Sequence, residues 1–325
     1  MKKEIRVGVV VYRNCTSSMV TGFLDILTLA NQLHLQQYGK SLFGLELIAE
    51  SKEPVSSFSG ITFLPHKTFK SKATFDLLYV PGFIGNPDDV VASEVKTIKW
   101  LQKVNTGKIV LSAACNGNFL LASSGALYKK KATTHWSLAQ KFRNDFKDVT
   151  LQPEKIILDN GNVISAAGVT AYFNLALHII QRFASADISL ACAKIFLVDA
   201  GRKIQTPYQM YQLPKGHGDD EIGKIQNWLE ANFKETINLD KLSGVGNIGK
   251  KTLMRRFKKA TGETPLSYLQ KLRIENAKRL LESKRLSFSE VTWEVGYSDV
   301  SSFHKVFKIE TGLTPIEYRT KFSLV

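Results

Sequence analysis

The chain has 325 residues, a formal net charge of +15, 44% hydrophobic residues and 22% charged residues. At roughly 150 residues per domain this length predicts two domains, and the composition excludes disordered, collagen-like and coiled-coil chains. No apolar run approaches the ~18 residues of a membrane span, and the surplus of positive charge points to an anionic partner: nucleic acid, an acidic membrane surface or an acidic substrate.

Residues 5–12 form a β-branched apolar run. The run is too short for a signal peptide and no small-residue cleavage site follows, so it reads as a first β-strand. Residues 22–35 are helical, with Leu24, Leu27 and Leu35 on one side. Strands follow at 43–50 and 76–80, the second ending in Pro81-Gly82. An amphipathic helix spans 94–105, a strand 108–113, and a helix opens at 118–123. A strand at 163–166 leads into a helix at 168–183. Strand–helix alternation predicts an α/β domain with a doubly wound, mostly parallel sheet, whose ligands bind beyond the carboxyl ends of the strands.

The three cysteines, Cys15, Cys115 and Cys192, are too widely spaced for a disulfide framework or a CxxC metal pair. A reducing cytoplasm is the expected compartment, and nothing calls for a metal or a cofactor. Cys115 nevertheless stands out. In KIVLSAACNGNFLLASSG a buried strand runs into a sharp turn with Cys115 at its tip, followed by a helix, which is the geometry of a nucleophile elbow. A helix start there is expected to lower a thiol pKa and to favour an anion or an oxygen ligand.

The positive charge concentrates late in the chain. Residues 241–285 hold 13 Lys and Arg against 3 Asp and Glu. A helix at 222–233 buries Ile222, Ile225, Trp228, Leu229 and Phe233 by spacing. Asn238 caps a short helix from residue 239. The next helix buries Leu253 and Phe257 and turns Lys250, Lys251, Met254, Arg255 and Lys258 outward. Gly262 stops it, and Pro265 opens a long helix to residue 281. The pattern then recurs: TLMRRFKKATGETPLSYL is matched by SFHKVFKIETGLTPIEYR, a two-copy repeat of about fifty residues. A short helix, a tight turn and a second helix with exposed polar residues describe a helix-turn-helix, whose second helix fits the DNA major groove.

On RRFKKATGETPLSYLQKLRIENAKRLLES, EVGYSDVSSFHKVFK and TGLTPIEYR, residues 222–322 resemble the AraC/XylS-family DNA-binding domain. The resemblance implies that Lys250, Lys251, Met254, Arg255 and Lys258 of the first reading helix, and Ser301, Ser302, His304 and Lys305 of the second, face double-stranded promoter DNA. One departure is the pair Gly244 and Gly246, where the family usually places helix formers. Each costs roughly 0.5–1 kcal/mol in a helix interior, which predicts a first helix-turn-helix looser than the second.

The elbow, with Pro81-Gly82-Phe83, ATTHW at 132–136 and NGNVISAAGVTAYFNLALHII, resembles the PfpI-like (class I glutamine amidotransferase-like) domain. The whole chain resembles the GlxA-type AraC-family transcriptional regulators. The implied organisation is an effector-sensing and dimerisation domain at 1–185, flavodoxin-like in fold, a connector at 186–221, and an all-α domain of two helix-turn-helix subdomains at 222–325. Enzymes of this superfamily place His after the nucleophile, where this chain has Asn116. A carboxylate is expected near the first helix start, where it has Ser18 and Met19. The resemblance therefore implies a degenerate elbow, Cys115 and Asn116, kept as a small-molecule pocket bounded by Ser17, Met19, Gly82, Phe83, Cys115, Asn116, His135, Trp136 and Thr170. An amino-acid derivative or amine fits such a pocket, with Trp136 and Phe83 offering a cation–π face. The implied partners are DNA, the effector, RNA polymerase and a second copy of the chain. The alternative is an amidase-like or thiol-redox enzyme or sensor using Cys115, with an attached DNA-binding domain.

Overall fold

A computed structural model describes residues 4–283 and 285–323. The outermost residues of the two predicted domains, 1–3 and 324–325, lie outside it. The chain divides into two compact units, Met1–Gln205 and Thr206–Val325.

The first unit runs β1 (Ile5–Val10), α1 (Ser17–Tyr38), β2 (Phe43–Ala49), β3 (Val55–Ser56), β4 (Thr62–Phe63), β5 (Lys67–Thr68), β6 (Leu77–Val80), α2 (Pro87–Ser93), α3 (Val95–Val104), β7 (Val110–Ala114), α4 (Gly117–Ser123), β8 (Lys131–Ala132), α5 (Ala139–Asp145), β9 (Thr150–Leu151), β10 (Ile157–Asp159), β11 (Val163–Ala166), α6 (Ala171–Phe183) and α7 (Ala186–Ile195). Its main sheet has the order β10-β11-β7-β6-β1-β2-β5. Every neighbouring pair is parallel except β10–β11. Every residue of β6, β7 and β11 is buried, as helices on both faces of a parallel sheet require. Helices α1, α6 and α7 pack together, and α2 and α3 pack on α4.

The predicted doubly wound domain is thus present, with differences that include the unpredicted α5, β10 and short strands. Helix α1 starts five residues before the expected position. Residues 87–93 form a helix that the hydrophobic pattern did not reveal, although Asn86 caps it through the Asp88 N–H and Pro87 opens it. The segment 186–221, read as a connector, is shared between the units. Ile188, Cys192 and Ala193 of α7 are buried in the first core, and Ser189 Oγ donates to Leu177 O at 2.8 Å.

The second unit comprises α8 (Asp220–Asn232), α9 (Leu239–Val245), α10 (Lys250–Thr261), α11 (Pro265–Ser283), α12 (Phe288–Glu294), α13 (Val300–Thr311) and α14 (Pro315–Phe322). It has two cores joined by α11. Tyr268, Leu269 and Leu272 enter the first, with Ile222, Ile225, Leu229, Leu253 and Phe257. Ile274, Ala277 and Leu281 enter the second, with Val291, Phe303, Phe307 and Tyr318. The repeat is carried into packing. Tyr268 Oη donates to Glu230 and Tyr318 Oη to Glu282. Thr261 and Thr311 donate to the carbonyls of Phe257 and Phe307 at 2.8 Å each. Gly262 and Gly312 end α10 and α13 in the same left-handed conformation.

Candidate functional site

Cys115 sits where β7 turns into α4, at φ 58°, a backbone region that non-glycine residues avoid. The conformation is locked from all sides. Its N–H donates to Ala166 O at 3.0 Å, and its carbonyl accepts from Thr134 Oγ1 and Asn118 Nδ2, both at 2.9 Å. Asn116 clamps the neighbouring loop: its Oδ1 accepts the Phe83 N–H at 2.8 Å, and its Nδ2 donates to Phe83 O at 2.7 Å. Gly82 must be glycine, because a Cβ there would stand 2.8 Å from Asn116 Oδ1 and 3.0 Å from both Cys115 Cβ and Met19 Sδ.

The expected thiol activation is absent. Burial pushes the Cys115 thiol up to about 11, and Cys15 likewise to about 11. Helix α4 has only seven residues, and the Asn118 and Phe119 amides fold back onto Cys115 O and Asn116 O. His135 is engaged with its neighbour Ser137. Its Nδ1 accepts from the Ser137 N–H at 3.2 Å, which places the proton of the neutral ring on Nε2, and the ring lies against Gly168. Burial lowers its pKa, favouring that neutral ring.

The residues expected to line a pocket fall into two groups. Gly82, Met19, Cys115 and Asn116 converge, but Met19 and Phe83 are fully buried and Ser17 is nearly so. Phe83 meets Tyr12 edge-on and presents no open face to a cation. His135 and Trp136 are half-buried with ring centroids 5.2 Å apart, and Thr170 is exposed. Thr170 has a neighbour that the sequence pattern did not reveal. Arg202, from the segment after α7, donates to Thr170 Oγ1 at 3.1 Å and to Asn174 Oδ1 at 2.6 Å. Asn174 and Arg202 also line a cleft of about 470 Å³ with His178 and Lys203. Next to the elbow, Asn118 Oδ1 and Thr16 Oγ1 are buried without a hydrogen-bond partner.

In the second unit, α10 and α13 carry the same order of exposed and buried positions over 251–260 and 301–310. Leu253 and Phe257 are fully buried, as are Phe303 and Phe307. Lys251, Arg255 and Lys258 form an exposed stripe on α10, continued on α13 by Ser301, Lys305 and Lys308. Among the described residues none of these cations forms an ion pair. Lys308, fifty residues beyond Lys258, was missed although the repeat itself points to it.

Four expected reading residues are placed differently. Lys250 Nζ pairs with Asp240 of α9 at 2.5 Å. Met254 and His304 are half-buried at the edge of the inner face, and the His304 ring packs edge-on against Phe288. Ser302 Oγ donates to Asp299 Oδ1 at 2.7 Å, and Asp299 also accepts the Ser301 and Ser302 N–H groups, so this serine completes a helix cap.

A helix-turn-helix domain profile matches residues 242–321, and the DJ-1/PfpI family profile matches residues 25–182. The chain is 25% identical over 317 residues to the HTH-type transcriptional regulator GbdR of Pseudomonas aeruginosa, covering 96% of this chain and 83% of that protein. It is 22% identical to the HTH-type transcriptional regulator CdhR of the same species, covering 94% and 89%. Over 112 residues, 34% of this chain and 40% of the relative, it is 32% identical to the Escherichia coli transcriptional activator RhaR. An AraC family transcriptional regulator from Pseudomonas putida superposes on 59% of this chain and 99% of its own with a TM-score of 0.52 at 18% identity. Drosophila melanogaster DJ-1beta superposes on 61% and 100% with a TM-score of 0.51, also at 18% identity. These two likenesses concern the fold of the first unit alone.

Proposed function

We propose that this chain, with its DJ-1/PfpI domain ahead of a helix-turn-helix domain and its likeness to transcriptional regulators over nearly its whole length, binds promoter DNA through α10 and α13 under the control of a small molecule held by the first unit. The observation that carries the reading is the cationic stripe repeated in register on the two helices. Lys251, Arg255, Lys258, Lys305 and Lys308 are the contacts we assign. Arginine suits a guanine edge and the lysines suit phosphates. Two such helices on one bridging helix address successive major-groove segments on one face of the duplex.

The first unit acts as a sensor and not as an enzyme. Asn116 spends its side chain on Phe83, the Cys115 thiol stays protonated at neutral pH, and His135 is engaged with Ser137. Nucleophilic catalysis needs an activated nucleophile, and a buried thiol near 11 is not one. The effector site we assign lies around His135, Trp136 and Thr170, with the Trp136 ring offered to an ammonium group and Arg202, held by Thr170 and Asn174, placing positive charge beside it. An amino-acid derivative carries that ammonium group. The regulator works as a cytoplasmic homodimer that contacts RNA polymerase, and effector binding shifts it between two states of different DNA affinity.

Footprinting on promoter fragments tests the DNA assignment. The expected result is two protected patches per protomer on one face of the duplex, about one helical turn apart. Protection without sequence preference sinks it. A thermal-shift screen of the full chain against amino acids, betaines and amines tests the sensor, because a ligand that binds only the folded state stabilises it by RT ln(1 + [L]/Kd). A hit that survives in Arg202→Ala and Trp136→Ala variants moves the site elsewhere.

A further inference from the structure

At the β2–β5 end of the sheet, α3 and the loop after β5 do not close fully over the strands. They leave a cavity of about 330 Å³. Its floor is buried and apolar: Ile48 of β2, Leu78 of β6 and Phe75. Gly8 of β1 lies between those strands, opposite Leu78 in the ladder, and a Cβ there would stand 2.7 Å from Leu78 Cδ2 and 3.0 Å from the Phe75 ring. A glycine at that point lets both side chains spread across the strand. The walls are Phe69 and Trp100, stacked at 4.4 Å with 11° between the rings, together with Val104 and Ile109. All four wall residues are only half-buried. Well-packed interiors close such voids, so these apolar faces are open to a ligand.

The mouth is cationic. Lys70 and Lys72 from the loop and Lys103 from α3 line the cavity and are exposed. A turn sets the loop: the Thr68 N–H donates to Ser71 Oγ and the Ser71 N–H to Thr68 O, both at 2.9 Å. Among the described residues none of the three lysines forms an ion pair, whereas Lys67 of β5 and Lys96 of α3 pair with Glu46 and Glu50. No acid is among the residues that line the cavity, and the chain carries none from residue 95 to residue 144. The one acid of the loop, Asp76, accepts the Arg6 N–H at 2.8 Å. An apolar chamber with a few polar groups converging on its entrance is the common form of a small-ligand site. Here the interior suits an apolar body and the entrance a negative charge.

We propose that this cavity is a second small-molecule site of the first unit, taking a small carboxylate with an apolar tail or ring: the tail lies against Ile48, Phe69 and Trp100, and the carboxylate meets Lys70, Lys72 and Lys103. The site stands apart from the effector site assigned above, whose Thr170 follows β11 near the other edge of the sheet, and does not rest on it.

Fluorescence titration of the full chain with octanoate tests it, with octylammonium as a probe of the same tail and opposite charge. Octanoate is expected to bind saturably below about 1 mM and to shift the tryptophan emission through Trp100, so that the shift is absent in Trp100→Phe. Octylammonium binds at least about tenfold more weakly. The double variant Lys72→Glu with Lys103→Glu loses at least about tenfold in octanoate affinity while its melting temperature without ligand is unchanged. Hexanoate, two methylenes shorter, binds about four- to fifteenfold more weakly than octanoate. Trp136→Ala and Arg202→Ala leave octanoate binding as it is. Equal affinity for octanoate and octylammonium, or an octanoate affinity untouched by the double lysine variant, overturns the proposal. So does an emission shift that persists in Trp100→Phe, or the lack of saturable binding up to about 10 mM. Each of these failures leaves the effector reading standing, because the two sites share no residue.

Discussion

The two glycines of the first helix-turn-helix look alike in sequence and differ in structure, so the same substitution has opposite signs at the two positions. Gly244 lies exposed within α9, and a Cβ there would meet nothing within 4 Å. Gly244→Ala therefore removes only the backbone entropy term and stabilises by roughly 0.5–1 kcal/mol. Gly246 ends the same helix at φ −88° and ψ −2°, a conformation open to alanine, yet a Cβ there would stand 2.6 Å from Ile225 Cδ1 and 3.2 Å from its Cγ1. Ordinary contact is about 3.5–4 Å, so Ile225 must move by about 1 Å inside a core where it is fully buried. Overpacking of this kind costs about 1–3 kcal/mol, which outweighs the backbone gain and leaves Gly246→Ala destabilising by about 0.5–2 kcal/mol. Native-state amide exchange at Leu253 and Phe257 of α10 reads the local free energy without assuming a two-state chain. Exchange slows about two- to fivefold in Gly244→Ala and speeds up by about two- to thirtyfold in Gly246→Ala. Ile225→Val removes Cδ1, so the double variant Gly246→Ala with Ile225→Val shows a favourable coupling energy. Equal slowing by both alanines, or no coupling to Ile225, refutes the close-approach argument.

Arg255→Ala should relax preference at one base pair, at a cost of about 1–3 kcal/mol, whereas Lys258→Ala and Lys308→Ala should weaken all sequences and each lower the salt slope by about one; anisotropy titrations at several salt concentrations separate the two behaviours. With its thiol pushed from 9.0 up to about 11, Cys115 holds roughly 100-fold less thiolate at pH 7.5 than an unburied thiol, so iodoacetamide labels it correspondingly slowly, and mild peroxide leaves DNA affinity unchanged. Rapid labelling, or a peroxide response lost in Cys115→Ala, would restore the thiol-sensor reading. Burial raises the Glu94 carboxyl, so the folded chain keeps a proton that the unfolded chain releases, and this contribution to stability is lost as pH rises from about 4.5 through the raised value. Glu94→Gln keeps an acceptor for Thr97 and should raise the melting temperature at pH 7.5 but not at pH 4.

The fold was readable because its signals are redundant. In the second unit the Phe, Thr-Gly, Pro and Tyr positions each fix a separate packing point: Phe257 and Phe307 the two cores, Thr261 and Thr311 the helix ends, Tyr268 and Tyr318 the ties to Glu230 and Glu282. Fully buried strands such as β6 and β7 announce themselves as apolar runs. The faces of the reading helices were harder to assign. Position 254 follows buried Leu253 by 100° and lies at the rim of the inner face, where spacing alone does not separate packed from free, and His304 shares that place. Lys250 stands at the helix start on the inner side, within reach of Asp240 from another helix, a pairing that no local pattern encodes.

The elbow shows the same limit from the other direction. The strand, turn and helix that hold Cys115 are local and were legible; its left-handed backbone came only with the structure. Its chemistry is set by burial and by distant partners: Ala166, Thr134 and Phe83 consume the hydrogen bonds that would otherwise face a ligand. Sequence motifs report where a reactive geometry is built. Whether the group placed there is reactive depends on its solvation, and a thiol near 11 in an elbow is a scaffold for the loops around it. Arg202 illustrates the converse, since the cation that meets Thr170 comes from a segment with no motif at all. Substituting Arg202 therefore tests the proposed effector site more directly than substituting Cys115, because it removes the charge beside Thr170 while leaving the elbow's hydrogen bonds in place.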